Sequence, residues 1–168
     1  SFAGPLILAS LMYKYSEHVP IASPKSYGNL IEPVITIEHQ SDLYDLLINK
    51  KWIFMYVYEN ESCDLLCEAT FYMMQQVRES VGRERQRISN VAIVNKSFIN
   101  SGNKKIINKY NKIKLLNVID NSFFDELKKN HLYLVDPLGN IFMYYEKDFN
   151  PKGLKKDIKK ILKISRIG

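Results

Sequence analysis

Hydrophobic residues in this chain fall into runs of two different periods, and the alternation between them outlines the fold. Trp52-Ile53-Phe54-Met55-Tyr56-Val57-Tyr58 is unbroken apolar, aromatic and β-branched sequence, which predicts a central strand buried on both faces. From Asp64 to Val81 the period changes. Leu66, Phe71, Met74 and Val77 return near one face, which predicts a long helix ended by Gly82. Val91–Val94 predicts a second buried strand, Lys104–Tyr110 a helix, Leu115–Ile119 a strand or loop, and Ser122–Lys128 a short helix. Leu132–Val135 and Ile141–Tyr145 flank Asp136-Pro137-Leu138-Gly139-Asn140, whose Pro and Gly suit the turn of a bulged hairpin. Past Pro151, Leu154, Ile158, Ile161 and Leu162 line one side of a closing helix and lysines line the other.

Upstream the pattern dissolves. Residues 14–33 carry Pro20, Pro24, Gly28 and Pro33 among scattered polar groups, which is punctuation without period and predicts a linker. Val34–Glu38 alternates like a short edge strand, and Ser41–Asn49 reads as a capped short helix. Residues 1–13 are apolar and uncharged up to Tyr13, shorter than the roughly 20 residues that span a bilayer. They read as the trailing part of an N-terminal membrane anchor. The expected organisation is an anchor remnant over 1–13, a linker over 14–33 and one domain over 34–168.

Strand, helix, strand, helix, then a hairpin and a closing helix is an ordered set with few solutions. The early βαβ unit implies parallel strands joined by a right-handed crossover. The late hairpin then completes a mixed sheet with helices on both faces. This is a thioredoxin-like α/β arrangement.

Charge sharpens the picture in one place. The formal charge is +6, and residues 151–168 hold seven basic residues and one acid, whereas the other 150 residues hold 17 of each sign. The basic balance therefore belongs to the terminal helix. A nucleic-acid partner is not expected, since such a partner wants a basic face on the main domain. The terminal lysines read as a solvated face, with contact to anionic lipid as the sharper alternative. Arg78, Arg83, Arg85 and Arg87 crowd the end of the long helix and read as a solvated face or as a docking patch for an acidic partner. There is no P-loop, zinc-protease helix, nucleophile-elbow serine or glycine-rich dinucleotide fingerprint in the chain.

The chemistry concentrates in the chain's two cysteines, Cys63 and Cys67, which sit where the first strand hands over to the long helix. A helix N-terminus offers unpaired N–H groups and partial positive charge, both of which favour a thiolate. Residues four apart on a helix face the same way at about 5–6 Å, within reach of a disulfide. Asp64 and Glu68 follow the two cysteines and oppose thiolate formation, although Asp64 also suits a helix start. Two thiolates on one face also suit Cu(I), a soft ion. Of the histidines, His131 lies at the start of the hairpin strand expected beside the first strand, which makes it the candidate third ligand. Met73, Met74 and Met143 are soft donors that read as core fillers.

The segment CDLLCEATFYMMQQVRESVG, with HLYLVDPLGN and the closing PKGLKKDIKKILKISRIG, resembles the SCO/SenC family, and more narrowly its SCO-like membrane-anchored members. The resemblance implies a thioredoxin fold on the bacterial inner membrane, facing the periplasm, and a role in cytochrome c oxidase assembly. Such members deliver copper to the oxidase or keep its cysteines reduced. Cys63 and Cys67 are then the redox and Cu(I) groups, and the partner is an oxidase subunit or another thiol or copper protein. Two departures stand out. Copper-binding members carry Pro after each cysteine where this chain has Asp64 and Glu68, and their ligand His falls here on Lys128. Thioredoxins proper carry a Pro just before the strand facing the dithiol, and Asp120–His131 contains none. A metal-free thiol–disulfide oxidoreductase and a non-catalytic interaction module with the same fold remain as alternatives.

Overall fold

A computed structural model describes residues 26–168; the expected anchor remnant and the linker up to residue 25 lie outside the described residues. The elements run β1 (Asn29–Thr36), α1 (Asp42–Leu47), β2 (Trp52–Val57), α2 (Leu65–Ser80), a 3-10 turn (Gly82–Arg87), β3 (Ile88–Ile93), α3 (Lys96–Asn100), α4 (Lys104–Lys109), β4 (Lys114–Leu116), a second 3-10 turn (Ser122–Glu126), β5 (His131–Val135), β6 (Asn140–Tyr145) and α5 (Pro151–Ile164). The sheet has six strands in the order β1-β6-β5-β2-β3-β4. β2 pairs parallel with β3 and antiparallel with β5, so it is central, as its unbroken apolar run requires.

Alternation along the strands divides the core into two layers. Phe54 and Tyr56 of β2 face Phe71 and Met74 of α2 and the apolar side of α5, including Leu154 and Ile158. Ile53, Met55 and Val57 face the other way, against Leu43 and Leu47 of α1 and Phe124 of the second 3-10 turn. Helices thus cover both faces, and the mixed sheet, late hairpin and closing helix form the thioredoxin-like arrangement.

Local chemistry sets the boundaries. The Ser41 side chain accepts from the Tyr44 amide and starts α1. The long helix starts at Asp64 and ends at Val81, after which Gly82 turns into the left-handed region at φ 66°. In the hairpin, Asp136 Oδ1 accepts from the amides of Leu138 and Asn140 while Gly139 takes φ 92°. The edge strand begins at Asn29, ahead of the expected Val34. Pro33 is accommodated because β1 lies on the sheet edge with a register shift between Leu30 and Ile35. β3 begins at Ile88, three residues ahead of Val91, and α3 is an additional short helix capped by Asn95.

Within the arginine cluster, Arg83 and Arg85 are exposed, whereas Arg78 and Arg87 have structural roles. Arg87 donates to the carbonyls of Leu162, Ser165 and Ile167 and pairs with Glu84, so it gathers the end of α5. Arg78 donates to the Ile88 carbonyl, and Arg85 pairs with Glu79.

Candidate functional site: a disulfide at the head of the long helix

β2 ends at Val57, and the chain crosses a short loop to reach Cys63, one residue before the helix cap. Cys63 and Cys67 are joined in a disulfide with Cα atoms 5.2 Å apart. The two sulfurs are unequal. Cys67 is buried on the inner side of α2 at 0% exposure, in the layer with Phe71 and Tyr58, whereas Cys63 is half-buried at the rim of that layer. Cys63 is therefore the more accessible residue of the pair. Leu65, in the first helical turn, is 88% exposed beside it.

The loop is held by side chains from outside it. Asn103 Oδ1 accepts from the Cys63 amide at 3.0 Å, and its Nδ2 donates to the carbonyls of Glu61 at 2.8 Å and Phe98 at 2.9 Å. The Tyr58 hydroxyl donates to the Ser62 carbonyl at 2.6 Å and accepts from the Asp64 amide at 3.4 Å. Asn95 Nδ2 donates to the Glu59 carbonyl, and the Ser101 hydroxyl donates to Glu61. Residues 95–103 thus clamp residues 59–63. Sequence reasoning missed Asn103, whose partners lie in a loop some forty residues earlier. In the structure its side chain makes no cap bond to α4 and is committed to the cysteine loop instead.

Charge around the pair is mixed. Asp64 Oδ1 accepts from the Cys67 amide at 2.8 Å, so a carboxylate already occupies the helix end that would otherwise stabilise a thiolate. Glu68 is drawn sideways to Lys109 at 3.5 Å. Lys109 holds its proton more tightly than an ordinary lysine, first through Tyr110 and then through Glu68. Burial pushes the Tyr56 phenol well above its ordinary value, so it stays neutral beneath the helix.

His131 requires a correction. Its strand does neighbour β2, with His131 opposite Val57. The side-chain parity is wrong, however. His131 shares its face with Tyr133 and Tyr144, and it lies 6.0 Å from the Tyr144 ring, in the layer opposite the cysteines. Its Nδ1 is 2.8 Å from the Lys129 carbonyl oxygen. Among the described residues no three His, Cys, Asp or Glu side chains gather as a metal site, so Cys63 and Cys67 stand without His131. Met74 and Met143 are core residues at 0% exposure, as expected.

The position before β5 also has a local explanation. Asn130 has φ 61°, and its amide donates to the Val57 carbonyl. Proline, with φ fixed near −65° and no N–H, fits neither condition. Among the described residues the cis peptide bond is Glu32–Pro33, on edge strand β1.

A mixed sheet with a disulfide between its central strand and the following helix defines a thioredoxin-like domain. Residues 52–165 match the family described as transmembrane-like, thioredoxin-like, C-terminal domain, and the chain belongs to that family. No curated protein matches it. Solved structures with the same fold include apo Sco1 from Thermus thermophilus (TM-score 0.57, 11% identity, 86% of this chain and 99% of that one). A putative thiol:disulfide interchange protein DsbE from Chlorobium tepidum aligns with TM-score 0.51 at 13% identity, over 77% of this chain and 94% of that one. A SCO1/SenC family lipoprotein from Bacillus anthracis aligns with TM-score 0.50 at 14% identity, over 71% and 85%. At these identities the likeness is one of fold.

The clamp makes a definite prediction. Asn103→Ala leaves the Cys63 amide and two carbonyls without their partner, and the loss of a buried hydrogen-bonding side chain costs about 1–3 kcal/mol. Chemical denaturation reads the stability loss. Hydrogen exchange at the Cys63 amide should accelerate more than at the Met74 amide, and equal acceleration at both would refute a clamp specific to this loop.

Proposed function

We propose that this chain performs thiol–disulfide exchange through Cys63 and Cys67 as a membrane-tethered, SCO-like factor. The observation that carries the reading is the asymmetry of the pair, with Cys63 half-buried at the rim and Cys67 fully buried. In the reduced chain the Cys63 thiolate attacks a partner disulfide, forming a mixed disulfide and releasing one partner thiolate. The Cys67 thiolate then attacks Cys63 Sγ, closing the Cys63–Cys67 bond and releasing the second partner thiolate. Two electrons pass to the partner. Two external thiols re-reduce the chain: the first attacks Cys63 Sγ and releases the Cys67 thiolate, and the second attacks the resulting mixed disulfide, frees the Cys63 thiolate and leaves as the external disulfide.

The SCO-like resemblance and the Sco1 fold likeness favour a cysteine-bearing subunit of cytochrome c oxidase as the partner, with the domain outside the cytoplasm of a bacterial cell, where a disulfide persists. The reduced pair also offers two thiolates for Cu(I) as transferred cargo. On this chain the cysteines supply the sulfur donors without His131. The test equilibrates the chain against graded glutathione thiol and disulfide and traps it by alkylation. A single two-electron transition is expected, with potential moving about 30 mV per tenfold change in ratio. A chain that never closes the bond, or whose cysteines titrate separately, refutes the reading. Cu(I) retained equally by the reduced chain and by Cys63→Ser with Cys67→Ser removes the cargo role.

A further inference from the structure

The terminal helix carries a feature that disulfide chemistry does not use. The chain's formal charge of +6 equals the excess of basic residues over 151–168. On α5, Lys152, Lys156, Lys159 and Lys163 are all exposed. Their spacing of four, three and four residues places them in one stripe along the helix. The helix cannot roll the stripe away, because Leu154, Ile158, Ile161 and Leu162 are locked into the core on its other side. Its one acid, Asp157, is withdrawn from the surface. The Asp157 carboxylate accepts from the amides of Tyr27 at 3.0 Å and Gly28 at 2.8 Å and from the Tyr145 hydroxyl. The groove between α5 and the first 3-10 turn is lined by one acid, Glu84, which is paired with Arg87.

Those same bonds fix where the N-terminal segment joins the domain. Tyr27 lies on α5, with its ring 5.5 Å from Lys156 Nζ. The helix is cut back to glycine at 153, where an added Cβ would stand 2.7 Å from Tyr27 Cβ. Residues 1–25, which contain the apolar run Phe2–Tyr13, therefore connect to the domain at the basic stripe. Tyr27, 54% exposed, and Ile164, 50% exposed, add the apolar and aromatic contacts that suit a membrane interface. The net positive charge is confined to residues 151–168 rather than spread over the main domain, which disfavours a nucleic-acid partner.

We propose that the exposed face of α5 docks onto anionic phospholipid headgroups and so holds the domain against the membrane surface. The surface is separate from the disulfide, and its test is separate from the redox test.

The experiment sediments the full 168-residue chain with vesicles of phosphatidylcholine alone and of equal parts phosphatidylcholine and phosphatidylglycerol. Each lysine near an anionic surface strengthens partitioning about fivefold. Lys152→Gln, Lys156→Gln, Lys159→Gln and Lys163→Gln together should cut the preference for anionic vesicles at least tenfold, and added salt should do the same to the parent chain. A control with the same charge change elsewhere, Lys50→Gln, Lys96→Gln, Lys104→Gln and Lys105→Gln, should keep most of the preference. Equal binding to both vesicles, an unaltered preference in the α5 variant, an equal loss in both variants, or tighter binding to duplex DNA than to anionic vesicles at the same salt would each overturn the proposal.

Discussion

A chain carrying Cys67→Ser accumulates as a stable mixed disulfide with its partner, and a chain carrying Cys63→Ser does not. The difference follows from access. Cys63 is half-buried at the rim of the domain, flanked by exposed Asp64 and Leu65 and held in place by Asn103. As the more accessible cysteine it is the one expected to meet another thiol or disulfide, and without Cys67 the chain has no second cysteine to resolve the adduct. Cys67 at 0% exposure offers no such approach while α2 is folded. In rate terms the Cys63→Ser chain should exchange with a small disulfide at about one hundredth of the parent rate or less, since exchange depends on thiolate access. Non-reducing electrophoresis and mass spectrometry of the trapped species decide the matter. Equal trapping by both variants would reverse or erase the assignment of attacking and resolving roles.

The second large effect lies beneath the pair. Phe71→Ala is expected to destabilise the domain by about 3–5 kcal/mol, the range for deleting a buried aromatic ring. Phe71 follows Cys67 by one helical turn and is 1% exposed. Its ring meets Tyr56 edge-on at 6.0 Å and Tyr110 edge-on at 6.0 Å, and leans on Phe98 at 6.2 Å. It therefore joins β2, α3 and the end of α4 under the helix that carries the disulfide. A cavity there removes contacts from three elements at once, and partial collapse cannot serve all of them. Denaturant titration should show a lower midpoint with an unchanged slope. A loss below about 1 kcal/mol would mean that the site repacks freely, contrary to the density of the contacts.

The sequence made some of this legible because single elements carried their own signals. The Trp52–Val57 run, the Asp64 cap with Gly82 beyond Val81, and the Asp136–Asn140 turn each declare an element without help from the rest of the chain. Cys63 and Cys67 were legible for the same reason, as spacing on one helix. What stayed hidden depended on partners far along the chain. The first half of β1, Asn29–Pro33, reads as linker because it is strand only by pairing with β6, more than a hundred residues later. His131 was placed on the right strand and the wrong face, since a one-residue change in register reverses every side chain and no local signal fixes that parity. Asn103 carried no signal of its own because its role depends on a loop forty residues earlier. Arg87 looked like surface charge for a comparable reason, its carbonyl partners lying at the far end of α5.

The strand order has a consequence for biosynthesis. β2 leads directly to the cysteines, yet one of its two edges is completed by β5, which lies on the C-terminal side of the cysteine helix and the elements that follow it. A chain emerging N-terminus first presents both thiols before the strand that closes this edge has followed. The covalent bond at Cys63 is therefore available to form on an unfinished sheet, and closure by the late hairpin then seals Cys67 behind it.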